Sequence, residues 1–171
     1  MNRFLSRRSF GAFLTAGLAA SPVLASGLPK PQERAILTIS GKIGIRNEGD
    51  QARFDRPMLE SLGIQSLVTS SPWYKGATRF EGVPMRTLLR AVEASGKSVL
   101  AVALNDYTTE IPIVDFEQYD VLLALKRDGA YMPVRDKGPL FIVYPFDSSP
   151  ELQVQKFYGR SAWQLSQLIV Q

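Results

Sequence analysis

Apolar spacing predicts one helix in this chain, and capping signals predict a second. Four apolar side chains recur at i, i+3, i+4 and i+7, on one helical face: Met85, Leu88, Leu89 and Val92. They predict a helix over residues 85–95, with Gly96 as its C-cap. A shorter helix is predicted over residues 55–63, because Asp55 can cap its first turn and Gly63 can end it.

Runs rich in β-branched and aromatic residues predict strands. They cover residues 35–41, 64–69, 98–104, 107–113, 121–126, 130–134 and 140–144. Asn105-Asp106 and Asp128-Gly129 separate neighbouring runs and predict hairpin turns. The fully apolar run 140–144 predicts a central buried strand, and residues 160–171 are predicted to close the sheet. Many short strands with two or three helices predict a β-rich α+β domain.

The N-terminus has the three parts of a secretory signal. Residues 1–10 contain three arginines and no acidic residue, an apolar uncharged stretch follows, and small residues precede a predicted cleavage after Ala25. Ser6-Arg7-Arg8-Ser9-Phe10 is similar to the twin-arginine export motif, with Gly11 where that motif has leucine. We therefore expect a periplasmic protein, exported by the twin-arginine or the general secretory route. A permanent N-terminal anchor is the alternative interpretation.

Removal of that segment changes the charge of the chain. The 171 residues carry a net charge of +4, of which Arg3, Arg7 and Arg8 supply three charges. The remainder is nearly neutral, so we expect no nucleic-acid partner. About 146 residues are left, a length that suits one domain. Residues 26–34 are polar and proline-bearing and predict a flexible lead-in to a domain over residues 35–171.

The chain contains no cysteine and no histidine. This composition excludes a thiolate nucleophile, a Ser-His-Asp triad, the usual tetrahedral zinc site, a disulfide and a covalently attached haem.

Three motifs carry a resemblance to a known family. They are Phe80-Glu81-Gly82-Val83-Pro84 with the Leu88-Leu89 helix after it, the run from Gly138 to Pro145, and Ser161-Ala162-Trp163-Gln164-Leu165. Over residues 36–171 the chain resembles the sulfite-oxidase-type oxidoreductase molybdopterin-binding domain. The resemblance implies a single domain with a β-rich, mixed, barrel-like sheet.

The resemblance fails at the residue that binds the metal. Family enzymes bind molybdenum through a cysteine in the loop between the second strand and the Gly-Val turn. That loop reads Thr69-Ser70-Ser71-Pro72-Trp73 here, and a serine oxygen is a harder ligand than a thiolate. The favoured hypothesis is a binding module without molybdenum redox catalysis or a bound cofactor. The alternatives are an oxidoreductase with bound molybdopterin, and a structural subunit of an exported complex.

The resemblance also implies where a ligand would lie, in the pocket beside this loop. The candidate binding residues are Ser70, Ser71, Trp73, Lys75, Arg79, Tyr144, Asp147, Tyr158 and Arg160. Aromatic rings interleaved with cations suit a small anionic or pterin-like ligand, and a membrane-bound sensor or an exported protein is the candidate partner. Structural roles are the alternative: Trp73 packs on the sheet, Arg79 pairs with Glu81, and Arg160 pairs with Asp147.

Overall fold

The computed structural model describes residues 27–171. The predicted signal segment and its cleavage site at Ala25 lie outside the described residues. In the predicted lead-in, the backbone N–H groups of Gln32 and Glu33 donate to the Asp55 carboxylate, at 2.7 and 3.0 Å.

Ten strands and four α-helices form within residues 27–171. The strands are β1 (Leu37–Gly41), β2 (Ala52–Phe54), β3 (Gln65–Ser71), β4 (Tyr74–Pro84), β5 (Ser98–Ala103), β6 (Thr108–Pro112), β7 (Leu122–Arg127), β8 (Ala130–Tyr131), β9 (Phe141–Val143) and β10 (Leu165–Val170). The helices are α1 (Arg56–Ser61), α2 (Met85–Ala91), α3 (Ile113–Gln118) and α4 (Gln155–Arg160). No helix in this range is long and apolar enough to cross a bilayer.

The first sheet has the strand order β2-β1-β10-β5-β6. The last strand, β10, lies at its centre, parallel to β1 and antiparallel to β5. The prediction that the C-terminal segment closes the sheet is therefore wrong. Strand β10 has three buried side chains: Leu165, Leu168 and Val170. This C-terminal segment therefore lies inside the sheet, where it pairs with the first strand of the described chain.

The second sheet has the order β3-β4-β7-β8, and β9 pairs with β7. The motif at residues 80–84, which corresponds to a turn in the family that the chain resembles, is the end of the 11-residue strand β4. The register shifts between Glu81 and Gly82, which marks a bulge. A Cβ atom on Gly82 would lie 2.0 Å from the Leu123 carbonyl oxygen, so glycine lets β4 approach β7 closely. Among the described strands, two open sheets replace the expected barrel-like sheet.

The helices differ from the predictions mainly in their ends. Asp55 caps α1 as predicted, accepting the Met58 N–H at 2.9 Å. Helix α2 ends at Ala91 rather than at residue 95, and Glu93 has a φ of 50° just beyond it. The prediction of Gly96 as C-cap is wrong: a Cβ atom there would lie 2.2 Å from the Gln171 carbonyl oxygen. Helices α3 and α4, of six residues each, were not predicted.

Buried side chains form two clusters. The larger cluster includes the inner faces of the helices and of the first sheet, and the smaller one lies on the second sheet around Phe80 and Phe141. The half-buried ring of Trp73 packs against both. Strand β9 is fully buried, as predicted for the apolar run, and its backbone is bonded on both sides. β7 is its ladder partner on one side, and on the other Phe141 forms an antiparallel bridge with Trp163 and the Ile142 N–H donates to the Ala162 carbonyl at 3.0 Å. Both predicted hairpin turns, at residues 105–106 and 128–129, are confirmed.

Candidate functional site

A cavity of about 440 Å³ opens beside the turn that joins β3 to β4. Its lining residues come from this turn, the β5–β6 turn, helix α4 and the approach to β10: Pro72, Trp73, Asn105, Tyr107, Gln155, Tyr158, Gly159, Ser161 and Trp163. We call this cavity the aromatic pocket. The Tyr107 hydroxyl donates to the Gly159 carbonyl at 2.7 Å and so ties the β5–β6 turn to α4.

Perpendicular aromatic rings form the walls of the aromatic pocket. The Trp73 ring meets Trp163 edge to face, with 5.5 Å between centroids and 76° between planes. It meets Tyr158 in the same way, at 6.0 Å and 81°. Behind it, Phe141 holds Trp73 at 5.4 Å and 75°. Edge-to-face contacts of this kind fix ring orientation, so the pocket has rigid, flat walls.

The polar groups of the aromatic pocket are uncharged. None of its nine lining residues, all within the described range, carries a charge. The Ser161 hydroxyl already donates to the Phe157 carbonyl at 2.9 Å. The side-chain amides of Asn105 and Gln155 supply donors and acceptors at the rim. Lys137 covers the Trp163 ring, with its Nζ atom 4.2 Å from the ring centroid. This arrangement suits a planar, uncharged group that exchanges hydrogen bonds with amides.

Ser70 and Asp147 form a separate contact beside this pocket. The Asp147 carboxylate accepts the Ser70 N–H at 2.6 Å and also the Ser70 hydroxyl. These bonds from Ser70 lower the pKa of Asp147 below its usual range. The Asp147 N–H donates to the Thr69 hydroxyl oxygen at 3.1 Å. The contact joins the end of β3 to the turn after β9, and none of these residues lines the pocket. The neighbouring Ser71 hydroxyl is buried without a hydrogen-bond partner among the described residues.

Tyr144 and Arg160 meet at a third place, on the Asp115 carboxylate of α3. The Tyr144 hydroxyl donates to Asp115 Oδ2 at 2.7 Å, and Arg160 Nη1 lies 2.7 Å from the same oxygen. Burial and the bond to Asp115 both raise the pKa of Tyr144. Arg160 therefore has an ion-pair partner, but it is Asp115 rather than the expected Asp147.

Lys75 and Arg79 lie on the exposed side of β4, and neither lines the aromatic pocket. Arg79 pairs with Glu81, Nε to Oε1, at 3.1 Å, as the structural interpretation predicts. The structure thus divides the nine candidate residues. Trp73 and Tyr158 line the pocket, Ser70 bonds to Asp147, Tyr144 and Arg160 share Asp115, and three residues stand apart: Ser71, Lys75 and Arg79.

Sequence reasoning did not select several lining residues, above all Asn105, Tyr107, Gln155 and Trp163. Asn105 lies in a turn whose composition is sufficient to explain a hairpin, and Tyr107 follows that turn. Tyr107 is close to α4 only through tertiary packing. Trp163 lies within one of the motifs that carry the family resemblance, and that motif could have indicated it as a site residue.

The residues present do not fit a thiolate-bound molybdenum centre. The chain has no cysteine to supply the sulfur ligand. Of the two serines in that loop, the Ser70 hydroxyl is bonded to Asp147, and the Ser71 hydroxyl, which has no partner among the described residues, would offer a hard oxygen in place of a soft sulfur. A pterin phosphate would need cations, and the pocket lining provides none. Within residues 27–171, acidic side chains form no cluster of three that could hold a metal ion. The flat aromatic walls match only the ring part of such a cofactor.

Comparison with known proteins identifies the family of the chain. No curated protein matches it. The model of the oxidoreductase molybdopterin binding domain family matches residues 54–147, more than half of the chain. The matched region runs from the end of β2 to the turn after β9, and includes the Ser70–Asp147 contact. Helix α4 and Trp163 lie outside it. The chain belongs to the oxidoreductase molybdopterin binding domain family.

Proposed function

We propose that this chain is an exported, non-catalytic member of its family that binds a small pterin-like ligand in the aromatic pocket. The observation that carries the proposal is the pocket itself: perpendicular rings of Trp73, Tyr158 and Trp163 beside two side-chain amides, with no charged lining residue. The N-terminal arginines and the apolar stretch after them support export to the periplasm.

A planar heterocycle suits this pocket for two physical reasons. Stacking of a nucleobase on an aromatic side chain contributes about 1–3 kcal/mol, and a pterin has a similar ring system. The amides of Asn105 and Gln155 can pair with the donors and acceptors at the edge of such a ring.

An anionic ligand has less support. Of the cations expected to hold an anion, Arg79 and Arg160 are in ion pairs with Glu81 and Asp115, and Lys75 lies outside the pocket. Binding of an anion would require Arg160 to leave a buried carboxylate, which is costly. Of the two expected kinds of ligand, anionic and pterin-like, the pterin-like one is therefore favoured.

Molybdenum catalysis is the alternative within the same family. Loss of the thiolate argues against it, because a soft sulfur ligand and a hard oxygen ligand give the metal different chemistry. A structural subunit, or a module that docks on a membrane-bound sensor or an exported protein, is the remaining alternative. It predicts a stable protein complex and no small ligand.

A fluorescence titration tests the proposal. Because Trp73 and Trp163 line the pocket, unsubstituted pterin is expected to quench tryptophan emission to saturation, whereas inorganic phosphate is expected to have no effect. Gln155→Ala is expected to weaken pterin binding about tenfold, the loss of about one hydrogen bond. Gln167→Ala, at an exposed position of β10 outside the pocket, is the matched control and should bind as the parent does. Saturable binding of phosphate, or equal pterin binding by both variants, would contradict the proposal.

A further inference from the structure

Strand β3 lies at the edge of the second sheet, and the hydrogen bonds of its neighbour show which of its backbone groups point outward. Its only ladder partner among the described strands is β4, in which Arg79 faces Val68. The Arg79 N–H donates to the Asp128 side chain at 3.2 Å, and the Arg79 carbonyl accepts the Asp128 N–H at 2.8 Å. Both groups of Arg79 are therefore used on the far side of β4. Val68 and Arg79 form a non-hydrogen-bonded pair, so the Val68 N–H and C=O point away from the sheet.

The same alternation places Ser66 and Ser70 on the outer edge with Val68. At one end the edge is closed, because the Asp147 carboxylate accepts the Ser70 N–H at 2.6 Å. No backbone group of residues 27–171 bonds to the outer main-chain groups of Ser66 and Val68, which leaves this part of the edge for another strand. The Ser70–Asp147 contact thus acts as a cap that limits how far a docked strand can extend along β3.

The open part of β3 lacks the features that protect edge strands. Natural edges carry charges, prolines or bulges that prevent pairing with another chain. The seven residues from Gln65 to Ser71 include no charge and no proline, and the register irregularity of the β3–β4 pair lies beyond the open part, between Thr69 and Ser71. The Val68 side chain is 61% exposed, the largest value among the exposed apolar side chains of the described residues.

We propose that β3 pairs antiparallel with β3 of a second copy of this chain across a two-fold axis. A two-fold interface places the same surface on both sides, and an uncharged strand meets itself without like-charge repulsion. Arg79, which faces Val68 on β4, is held on its own sheet: it pairs with Glu81, and its Nη2 atom donates to the Ser66 hydroxyl at 3.1 Å. The inference is independent of the aromatic pocket.

The cap selects the register of this pairing. An axis at Val68 would place Ser66 opposite Ser70, whose N–H is already bonded to Asp147. An axis at Leu67 places Ser66 of each copy opposite Val68 of the other, and each of these pairs can exchange two hydrogen bonds. The pairing is therefore centred on Leu67. Because it is short, it gives a weak dimer that depends on concentration.

Sedimentation velocity over a range of concentrations tests this inference. The protein is expected to shift reversibly from a monomer towards twice the monomer mass as its concentration rises; the mass of all 171 residues is 19.0 kDa. Val68→Lys places a charge beside its own copy across the axis and is expected to abolish the shift. Val68→Thr, which keeps a β-branched uncharged side chain, is the matched control and is expected to keep it.

Hydrogen exchange provides a second measurement that does not depend on the variants. The Ser66 and Val68 amides are expected to gain protection with concentration, while the capped Ser70 amide stays unchanged. A monomer at every concentration, or a dimer that survives Val68→Lys, would overturn the inference. Protection of these amides only upon addition of a different protein would also overturn it, because the edge would then serve a heterologous partner.

Discussion

Arg160 at the end of α4 and Asp115 in α3 form an ion pair at 2.7 Å that is mostly shielded from solvent. The side chains are 17% and 7% exposed, and Tyr144 adds a hydrogen bond to the same carboxylate. Removal of one partner leaves the other buried and unpaired. We expect Arg160→Met to lower the free energy of unfolding by about 3 kcal/mol, at the low end of the range for buried pairs because Arg160 keeps some exposure. Urea denaturation measures this change.

Tyr144→Phe is the matched control for that experiment, because it removes one hydrogen bond and keeps the ion pair. We expect it to cost about 2 kcal/mol, because the hydrogen bond that it removes is made to a charged carboxylate. If Arg160→Met left stability unchanged and instead abolished binding of an added anion such as phosphate, Arg160 would be a ligand-binding residue and the structural role given to it here would be wrong.

The hydrogen bonds of Asp55 predict how the free energy of unfolding changes at acid pH. Burial raises the pKa of this carboxyl, but the N–H bonds from Glu33, Met58 and Gln32 outweigh burial and lower the pKa below its ordinary value. The stabilisation is therefore complete above the unfolded-state pKa of about 3.9, and is lost as the pH falls through the lower folded-state value. Asp55→Asn keeps a capping oxygen without the charge. Its stability, from urea midpoints, should fall less steeply below about pH 4 than that of the parent protein, and equal slopes would refute this assignment.

Gly82 is predicted to be indispensable for the pairing of β4 with β7. An alanine Cβ would lie 2.0 Å from the Leu123 carbonyl oxygen, a backbone atom that cannot move aside alone. We expect Gly82→Ala to cost about 1–3 kcal/mol, the usual range for overpacking. Gly49→Ala is an informative comparison, since no atom lies within 4 Å of a Cβ there and its cost comes from a φ of 61°. Thermal melting should show Gly82→Ala as the more damaging change, and the reverse order would contradict the close-approach explanation.

The exposed cations of β4 are predicted to have no part in ligand binding. Lys75 and Arg79 lie outside the aromatic pocket, and Arg79 is paired with Glu81. We expect the double variant Lys75→Ala, Arg79→Ala to bind pterin with unchanged affinity and to lose little stability, because exposed ion pairs contribute about 0–1 kcal/mol. A tenfold weaker affinity in the fluorescence titration would contradict this prediction and show that these residues take part in ligand binding.

The sequence predicted correctly those elements that depend on residues close to each other in the chain. The cap at Asp55 and the turns at Asn105-Asp106 and Asp128-Gly129 depend on neighbouring residues, and the structure confirms them. Gly96 was wrongly predicted to be a helix C-cap, and Gly82 was not predicted to lie at a close contact between strands. Both are needed where a distant backbone approaches closely, at Leu123 and at Gln171, which no local pattern reveals.

Long-range contacts explain the rest. The central position of β10 depends on parallel pairing with β1, at the other end of the described chain. Arg160 pairs with Asp115, 45 residues away in the chain, because helices α3 and α4 pack together. Both helices are too short to be predicted from the spacing of apolar residues. The aromatic pocket likewise combines Trp73, Asn105 and Trp163 from three separate parts of the chain.

Metal analysis combined with pterin fluorescence distinguishes a binding module from a molybdenum enzyme. The protein would be purified from a host that makes the molybdenum cofactor, so that a competent site could fill. A member of this family without the thiolate ligand should contain far less than stoichiometric molybdenum, and added pterin should still bind in the aromatic pocket. Stoichiometric molybdenum that co-purifies with pterin would contradict the account and establish a molybdopterin-dependent enzyme.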